Sequence, residues 1–190
     1  KLPEKFIFYG GDINWNKNIM ILAKACVELE IPLLVVGKQA ANKEIDKTHP
    51  WNQPLVEFQK YDKQPACLIK TLGFVQTKHL NYLYQKALCC VCPSISEGFG
   101  LPVLEAMING CPVISSNSTS LPEVGGEACL YFNPHHPQQL IAGIQKLSSD
   151  EKLRSQLIQK GLDQAKKFSW EETAKQTFDI YQQVMKQMSK

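Results

Sequence analysis

The chain has 190 residues, 44% of them hydrophobic and 21% charged, so it is large and apolar enough to bury a full core without disulfides or structural metals. Its formal net charge of +3 is spread along the chain, and no block of like charges indicates a nucleic-acid-binding tail. No run approaches the roughly 18 apolar residues that a membrane span requires. We therefore expect a globular domain that does not bind nucleic acid.

Strand and helix signals alternate along the chain. In order, they predict a strand over 6–9, a helix over 19–27, a strand over 33–37, a polar loop over 38–53, a short helix over 55–61, a strand over 69–72, a helix over 77–87, a strand over 88–92, a helix over 102–109, and strands over 112–114 and 128–132. Short apolar strands that alternate with helices predict an α/β fold with a parallel sheet of about six strands, covered on both faces.

The last third of the sequence predicts helices at about 137–187. Two pairs, Ser148 with Glu151 and Ser169 with Glu172, have capping-box spacing. The final helix carries an apolar stripe, which we interpret as a face that packs on the core. The members of this stripe are Trp170, Ala174, Phe178, Tyr181, Met185 and Met188.

The seven cysteines are interpreted as buried free thiols of a protein in the reducing cytosol, since several lie within apolar runs. They are Cys26, Cys67, Cys89, Cys90, Cys92, Cys111 and Cys129. The pair His135-His136 has no third ligand at metal-binding spacing, and we expect His49 and His79 at the surface.

Ligands of parallel α/β sheets bind beyond the carboxyl ends of the strands, so the segments that follow strands are the candidate sites. The segment 93–107 runs from a predicted strand through Gly98 and Gly100 into a predicted helix. The two glycines allow close approach of a ligand and unusual φ values, and the start of the helix offers free N–H groups for phosphate. Two carboxylates, Glu97 and Glu105, flank this start and suit the hydroxyls of a sugar or a ribose, because carboxylates only accept hydrogen bonds.

The string from Glu97 to Glu105, with Gly-Phe-Gly-Leu-Pro between them, resembles the Glu–seven residues–Glu signature of the retaining GT-B glycosyltransferases of family four. The resemblance continues through residues 72–75, 110–114 and 121–124, and it covers most of the chain in the right order. It implies a Rossmann-like, doubly wound sheet that forms one half of a GT-B fold.

The resemblance also implies roles for individual residues. Glu105 would hold the nucleotide ribose, while Glu97 would contact the donor sugar. Lys17 matches the phosphate-binding lysine of the family, so Lys17 and Glu97 are the expected catalytic residues. The remaining expected donor-binding residues are Gly11, Phe74, Val75, Gly98, Phe99, Gly100 and Leu101. Neither a metal nor another cofactor is expected.

The loop that follows the first predicted strand, residues 11–18, departs from the family pattern. Many relatives carry an arginine where this chain has Asp12, and another where it has Asn16. Lys17 would then be the only cation of this loop, unless Asn14, Asn16 and Asn18 supply neutral donors. An aspartate beside a diphosphate is repulsive unless it turns away or caps the next helix. Ser115 and Ser116, which follow a predicted strand, either line the cleft or turn the chain.

The resemblance implies transfer of a sugar from a UDP- or GDP-sugar, with retention, to an acceptor such as a polysaccharide or a lipid-linked glycan. We expect residues 1–190 to be the donor-binding domain, with the amino-terminal acceptor domain of the parent protein absent and this chain alone inactive. Cytoplasmic location, with peripheral association of the parent protein at the membrane face, fits such acceptors. The alternatives are a non-catalytic nucleotide-sugar-binding module and another GT-B enzyme such as a phosphorylase or an epimerase.

Overall fold

The computed structural model describes residues 2–42, 44–61 and 68–188, and in these ranges the predicted alternation is confirmed. The strands are β1 (Ile7–Gly10), β2 (Leu33–Val36), β3 (Ile69–Gly73), β4 (Cys89–Cys92), β5 (Val113–Ser116) and β6 (Cys129–Phe132). The helices are α1 (Ile19–Glu28), α2 (Gln53–Tyr61), α3 (Thr77–Lys86), α4 (Leu101–Ile108), α5 (Leu121–Gly125), α6 (Pro137–Ser149), α7 (Glu151–Ala165) and α8 (Trp170–Met188).

The six strands form one parallel sheet in the order β3-β2-β1-β4-β5-β6. Strand β1 lies in the middle, where Ile7 is paired with Leu33 of β2 on one side and with Cys89 of β4 on the other. This order is doubly wound and Rossmann-like, as the family resemblance implies. The connections leave β1 and β4 in opposite directions, so a crevice opens between the loops that follow these two strands.

The sheet buries apolar side chains on both faces, because neighbouring residues of a strand point to opposite sides. Ile7 and Tyr9 of β1 belong to one core cluster, which is covered by α1, α2 and α6. Phe6 and Phe8 belong to the other cluster, which is covered by α3, α4 and α5. Both faces of the sheet are therefore occupied by helices from the first 150 residues.

The six described cysteines are free and buried, which confirms that part of the prediction, while Cys67 lies outside the described residues. Cys89 packs in one core cluster and Cys92 in the other, so these two thiols are on opposite faces of the sheet. Burial raises the pKa of the Cys26, Cys111 and Cys129 thiols to about 12. Thiols with such pKa values stay protonated and are poor nucleophiles.

The structure corrects one of the two capping predictions. Asp150, rather than Ser148, caps α7, because its carboxylate accepts the Leu153 N–H at 2.8 Å. Ser148 belongs to the last turn of α6, so it is too early in the chain to cap the next helix. At α8 the Ser169 hydroxyl accepts the Glu172 N–H at 3.0 Å, as predicted.

The interpretation of α8 as a core-packing helix is wrong for this chain. The helix and its apolar stripe are present, but none of its residues is buried by the described part of the chain. Trp170 is 80% exposed and Phe178 is 59% exposed. The physical reason is that both faces of the sheet are already covered before α8 begins. Among the described residues, no helix combines the length and the apolar composition that a membrane span requires.

Candidate functional site

Two loops meet at the carboxyl ends of β1 and β4, and we call them the first loop (residues 11–18) and the glycine loop (residues 93–100). The first loop contains one turn of 3-10 helix, Trp15–Lys17. The Ile95 N–H donates to the Asn16 carbonyl at 2.7 Å, and the Asn16 amide donates to the Ser96 carbonyl at 2.9 Å. These two bonds fix the first loop against the glycine loop at the crevice of the sheet.

The predicted catalytic residues are in direct contact. Lys17 Nζ lies 2.7 Å from Oε1 and 2.9 Å from Oε2 of Glu97. The Lys17 side chain is 21% exposed and that of Glu97 only 10% exposed. A carboxylate with so little access to water needs a partner charge, and Lys17 supplies it. An ammonium has three N–H donors, so Lys17 can bind a further acceptor beside Glu97.

Hydroxyl groups hold the glycine loop around Glu97. The Glu97 N–H donates to Thr119 Oγ1 at 2.9 Å, and this hydroxyl lies 3.1 Å from the Glu97 carbonyl. Ser120 Oγ lies 2.9 Å from the carbonyls of both Glu97 and Phe99. Ser94 Oγ donates to Glu97 Oε1 at 2.7 Å. Ser94, Thr119 and Ser120 were not predicted, because hydroxyl residues are common in loops and carry no spacing signal.

Helix α4 begins directly after the glycine loop, with Gly100 at its N-terminal cap. Gly100 has φ +108°, and a Cβ there would lie 2.6 Å from Leu121 Cδ2, so only glycine fits. The unusual φ value predicted for Gly98 is not found, because its φ is not positive. A Cβ added to Gly98 would meet open space. Among the described residues, no acceptor is found for the N–H groups of residues 98–101. These groups and the helix dipole offer a site for an anion.

Glu105 lies one turn into α4, on the side of Tyr84. The Tyr84 hydroxyl donates to Glu105 Oε2 at 3.0 Å. Burial raises the pKa of Tyr84 far above its ordinary value, with smaller contributions from Cys90 and Glu105, so the phenol remains a donor. Within the described residues, Glu105 Oε1 has no recorded partner.

The other predicted donor-binding residues lie at the same edge of the sheet but are not in contact with the Lys17–Glu97 pair. Gly11 follows β1 with φ +151°. Phe74 and Val75 follow β3, two strands from β1, a separation of about 10 Å. The Phe74 side chain is 68% exposed, and Lys38 Nζ lies 5.0 Å from the centre of its ring.

Two asparagine side chains of the first loop bond to backbone outside the loop. The side-chain amides of Asn16 and Asn18 donate to the carbonyls of Ser96 and Pro134. Asp12 is exposed, and it caps no helix, since Asn14 and Asn18 occupy the cap positions.

Ser115 and Ser116 are fully buried and do not line the cleft. The Ser116 hydroxyl instead donates to the Ser94 carbonyl at 2.5 Å. In the part of the chain that the structure describes, no three His, Cys, Asp or Glu side chains are grouped so that they could hold a metal ion. His49, His79, His135 and His136 are exposed, as predicted.

Known proteins share both the sequence and the fold of this chain. The sequence profile of the family described as Glycosyl transferases group 1 matches residues 1–164. The O-antigen chain mannosyltransferase B of Escherichia coli is 47% identical over 113 residues, which are 60% of this chain and 30% of that protein. The serotype-specific mannosyltransferase WbdA of Escherichia coli is 40% identical over 193 residues, which are 97% of this chain and 22% of that protein. The matched segments thus cover less than a third of the length of these relatives.

Two solved structures illustrate the shared fold. Sucrose-phosphate synthase from Thermosynechococcus elongatus superposes with a TM-score of 0.81 at 27% identity, covering 97% of this chain and 47% of that one. Alr3699/HepE from Anabaena, solved in complex with UDP-glucose, superposes with a TM-score of 0.72 at 18% identity, covering 97% of this chain and 49% of that one. The fold is that of GT-B glycosyltransferases, and the profile match shows that the chain belongs to the glycosyl transferases group 1 family.

Proposed function

We propose that this chain binds a nucleoside diphosphate sugar in the crevice between the first loop and the glycine loop, as the donor-binding part of a retaining glycosyltransferase. The observation that carries the proposal is the Lys17–Glu97 pair, held at the crevice beside the unpaired N–H groups at the start of α4. A cation and free N–H groups suit a diphosphate, and a carboxylate suits sugar hydroxyls. The structural neighbour solved with UDP-glucose supports the same class of ligand.

The donor-binding residues divide into four groups, one for each part of the ligand. Lys17 and the N–H groups of Phe99, Gly100 and Leu101 bind the diphosphate. Glu97 orients the sugar, and Glu105 binds the ribose hydroxyls. The base lies toward Phe74, Val75 and the segment that follows β3.

In the transfer step, the bond between the anomeric carbon and the diphosphate oxygen breaks, and the carbon forms a bond to an acceptor hydroxyl oxygen on the same face of the sugar. The proton of that hydroxyl passes to the leaving diphosphate. Negative charge develops on the leaving diphosphate. Lys17 and the start of α4 stabilise that charge, since fixed donors are most effective where charge develops. Glu97 holds the sugar in the reacting orientation. No step of this proposal needs a metal ion.

We propose mannose as the transferred sugar, because both Escherichia coli relatives are mannosyltransferases. The O-antigen relative favours a polysaccharide or a lipid-linked glycan as the acceptor of the whole protein. We also propose that the acceptor is bound outside this chain and that the chain alone transfers no sugar. The buried free thiols favour a cytoplasmic location.

A module that binds the donor without transferring its sugar is the second candidate, and Asp12 is the observation that favours it. Its carboxylate is exposed at the first loop, where it would repel a diphosphate, and Glu97 already accompanies Lys17. If Asp12 opposes binding, Asp12→Asn should tighten the binding of a nucleoside diphosphate. Turnover by the full-length protein would exclude this candidate.

The proposal is tested by calorimetric titration of the chain with GDP-mannose and with UDP-glucose. We expect saturable binding of one of them and at least tenfold weaker binding to Lys17→Met, a change of about 1.4 kcal/mol. Lys24→Met is the matched control, because Lys24 is exposed on α1 and no contact of its ammonium is recorded within the described chain. Equal affinities of the wild-type chain and Lys17→Met would contradict the proposal.

A further inference from the structure

Each of the two glutamates accepts a hydrogen bond from a buried hydroxyl. Ser94 donates to Glu97 Oε1 at 2.7 Å, and Tyr84 donates to Glu105 Oε2 at 3.0 Å. Both donors are only 1% exposed, so neither hydroxyl is positioned to contact a ligand directly. We propose that Ser94 and Tyr84 are positioning residues, one for each carboxylate. This inference rests on the proposed function, because it assumes that Glu97 contacts the sugar and Glu105 the ribose.

Tyr84 is held rigidly, as a positioning residue requires. Its ring packs edge-to-face on Phe8 of β1 with the centroids 4.6 Å apart. Its hydroxyl sits so close to the end of β1 that a Cβ added to Gly10 would lie 3.2 Å away. The phenol therefore connects the sheet to α4 and fixes one oxygen of Glu105, which leaves Oε1 for a ribose hydroxyl.

Ser94 fixes Glu97 in a different way. Glu97 Oε1 accepts from both Lys17 and Ser94, at 2.7 Å each, while Oε2 accepts from Lys17 at 2.9 Å. Lys17 must also meet the diphosphate, so a second donor keeps the carboxylate in place when the ammonium shifts toward the ligand. Ser116 anchors Ser94 through the Ser94 carbonyl, a contact that Ser94→Ala retains.

The roles proposed for Tyr84 and Ser94 predict different effects on binding. A free nucleoside diphosphate contains the ribose but lacks the sugar. Loss of the Tyr84 hydroxyl should weaken the binding of GDP and the binding of GDP-mannose by the same factor. Loss of the Ser94 hydroxyl should weaken only the nucleotide sugar. A change that merely loosened the fold would not separate the two ligands in this way.

The experiment titrates the chain and its Tyr84→Phe and Ser94→Ala variants with GDP and GDP-mannose, or with UDP and UDP-glucose if the wild type prefers uridine. We expect Tyr84→Phe to lower the affinity for both ligands three- to tenfold. We expect Ser94→Ala to weaken the nucleotide sugar three- to tenfold and the nucleoside diphosphate less than twofold. These factors match the contribution of one hydrogen bond to a charged group.

Matched controls are Tyr82→Phe, a half-exposed tyrosine on the same helix, and Ser149→Ala, an exposed serine whose hydroxyl binds only helix carbonyls among the described residues. In addition, Tyr84→Phe should have no further effect in a Glu105→Ala background, since its hydroxyl acts through that side chain. Thermal melting of each variant reports whether the fold is retained.

The outcomes separate the inference from the function on which it rests. If Glu97→Gln and Glu105→Gln weaken binding while Tyr84→Phe and Ser94→Ala match the wild type, the positioning roles are wrong and the proposed function stands. If Ser94→Ala weakens both ligands equally, its role at the sugar is wrong. If the wild-type chain binds no nucleotide at millimolar concentration, the proposed function fails and the inference with it.

Discussion

The segment from β4 to α4 and the carboxyl-terminal helix α8 are both rich in apolar residues, but only the first of them is buried. All four residues of β4 are buried, and α4 buries Val103, Ala106 and Met107. Nothing in α8 is buried by the described chain, although its apolar stripe is regular. The difference shows that apolar spacing predicts a helix and its apolar face. It does not identify the surface against which that face packs.

The polar residues of the two regions differ in the same way. In the glycine loop between β4 and α4, Glu97 is 10% exposed and is paired with Lys17. Glu97 also forms hydrogen bonds with Ser94 and Thr119. Along α8, the polar groups bond mainly within the helix itself, as Gln176 does with Glu172. The sharpest tests of this contrast change the stability at one region and leave it unchanged at the other.

The largest effect is expected from alkaline pH, which acts on the buried thiols. Their pKa values are raised above the value of 9.0 for an exposed thiol, so the folded state favours the protonated form. This stabilisation is complete below about pH 9 and is lost as the pH rises toward 12. Each such thiol should lower the free energy of unfolding by roughly 1 kcal/mol per pH unit in that range.

Urea unfolding at pH 8, 9 and 10, under reducing conditions, measures this loss. Cys111→Ala removes one of the buried thiols and should make the decline shallower. A free energy of unfolding that is constant between pH 8 and pH 10 would contradict the burial of these thiols.

A smaller but still clear effect is expected from Gly100→Ala. Its φ of +108° is strained for alanine, and the new methyl group would collide with Leu121. We expect a loss of about 1–3 kcal/mol in the free energy of unfolding. Gly98→Ala is the matched control and should change stability by less than about 0.5 kcal/mol, since its Cβ would face open space. Equal destabilisation by the two substitutions would show that the loop geometry is wrong.

The smallest effect is expected on α8. Phe178→Ser removes a ring that is 59% exposed and should change the free energy of unfolding of this chain by less than about 0.5 kcal/mol. Leu140→Ala on α6, which is fully buried, should cost about 2–4 kcal/mol by the same measurement. A loss above 1 kcal/mol for Phe178→Ser would mean that α8 is covered in solution.

Much of the fold could be predicted from the sequence, because it depends on short-range patterns. Short apolar runs located all six strands within two residues. The direct contact of Lys17 with Glu97 was not predicted, since it joins residues 80 positions apart across two loops.

The roles of individual polar side chains were the least predictable part. Ser115 and Ser116 follow a strand and were candidates for the cleft, yet both are buried in the sheet. Asp150 caps α7 in place of Ser148, because two overlapping capping patterns compete within three residues and only the end of α6 decides between them. Such outcomes depend on where neighbouring elements end, which spacing alone does not define.

The central claim is that a nucleotide sugar binds between the first loop and the glycine loop. A crystal structure of the chain with bound GDP-mannose tests it most directly. We expect a diphosphate oxygen within about 3 Å of Lys17 Nζ and of an N–H group at the start of α4, with a mannose hydroxyl bound to Glu97. A nucleotide found elsewhere, such as in the surface pocket of about 440 Å³ lined by Lys160, Gln164 and Lys167, would contradict it.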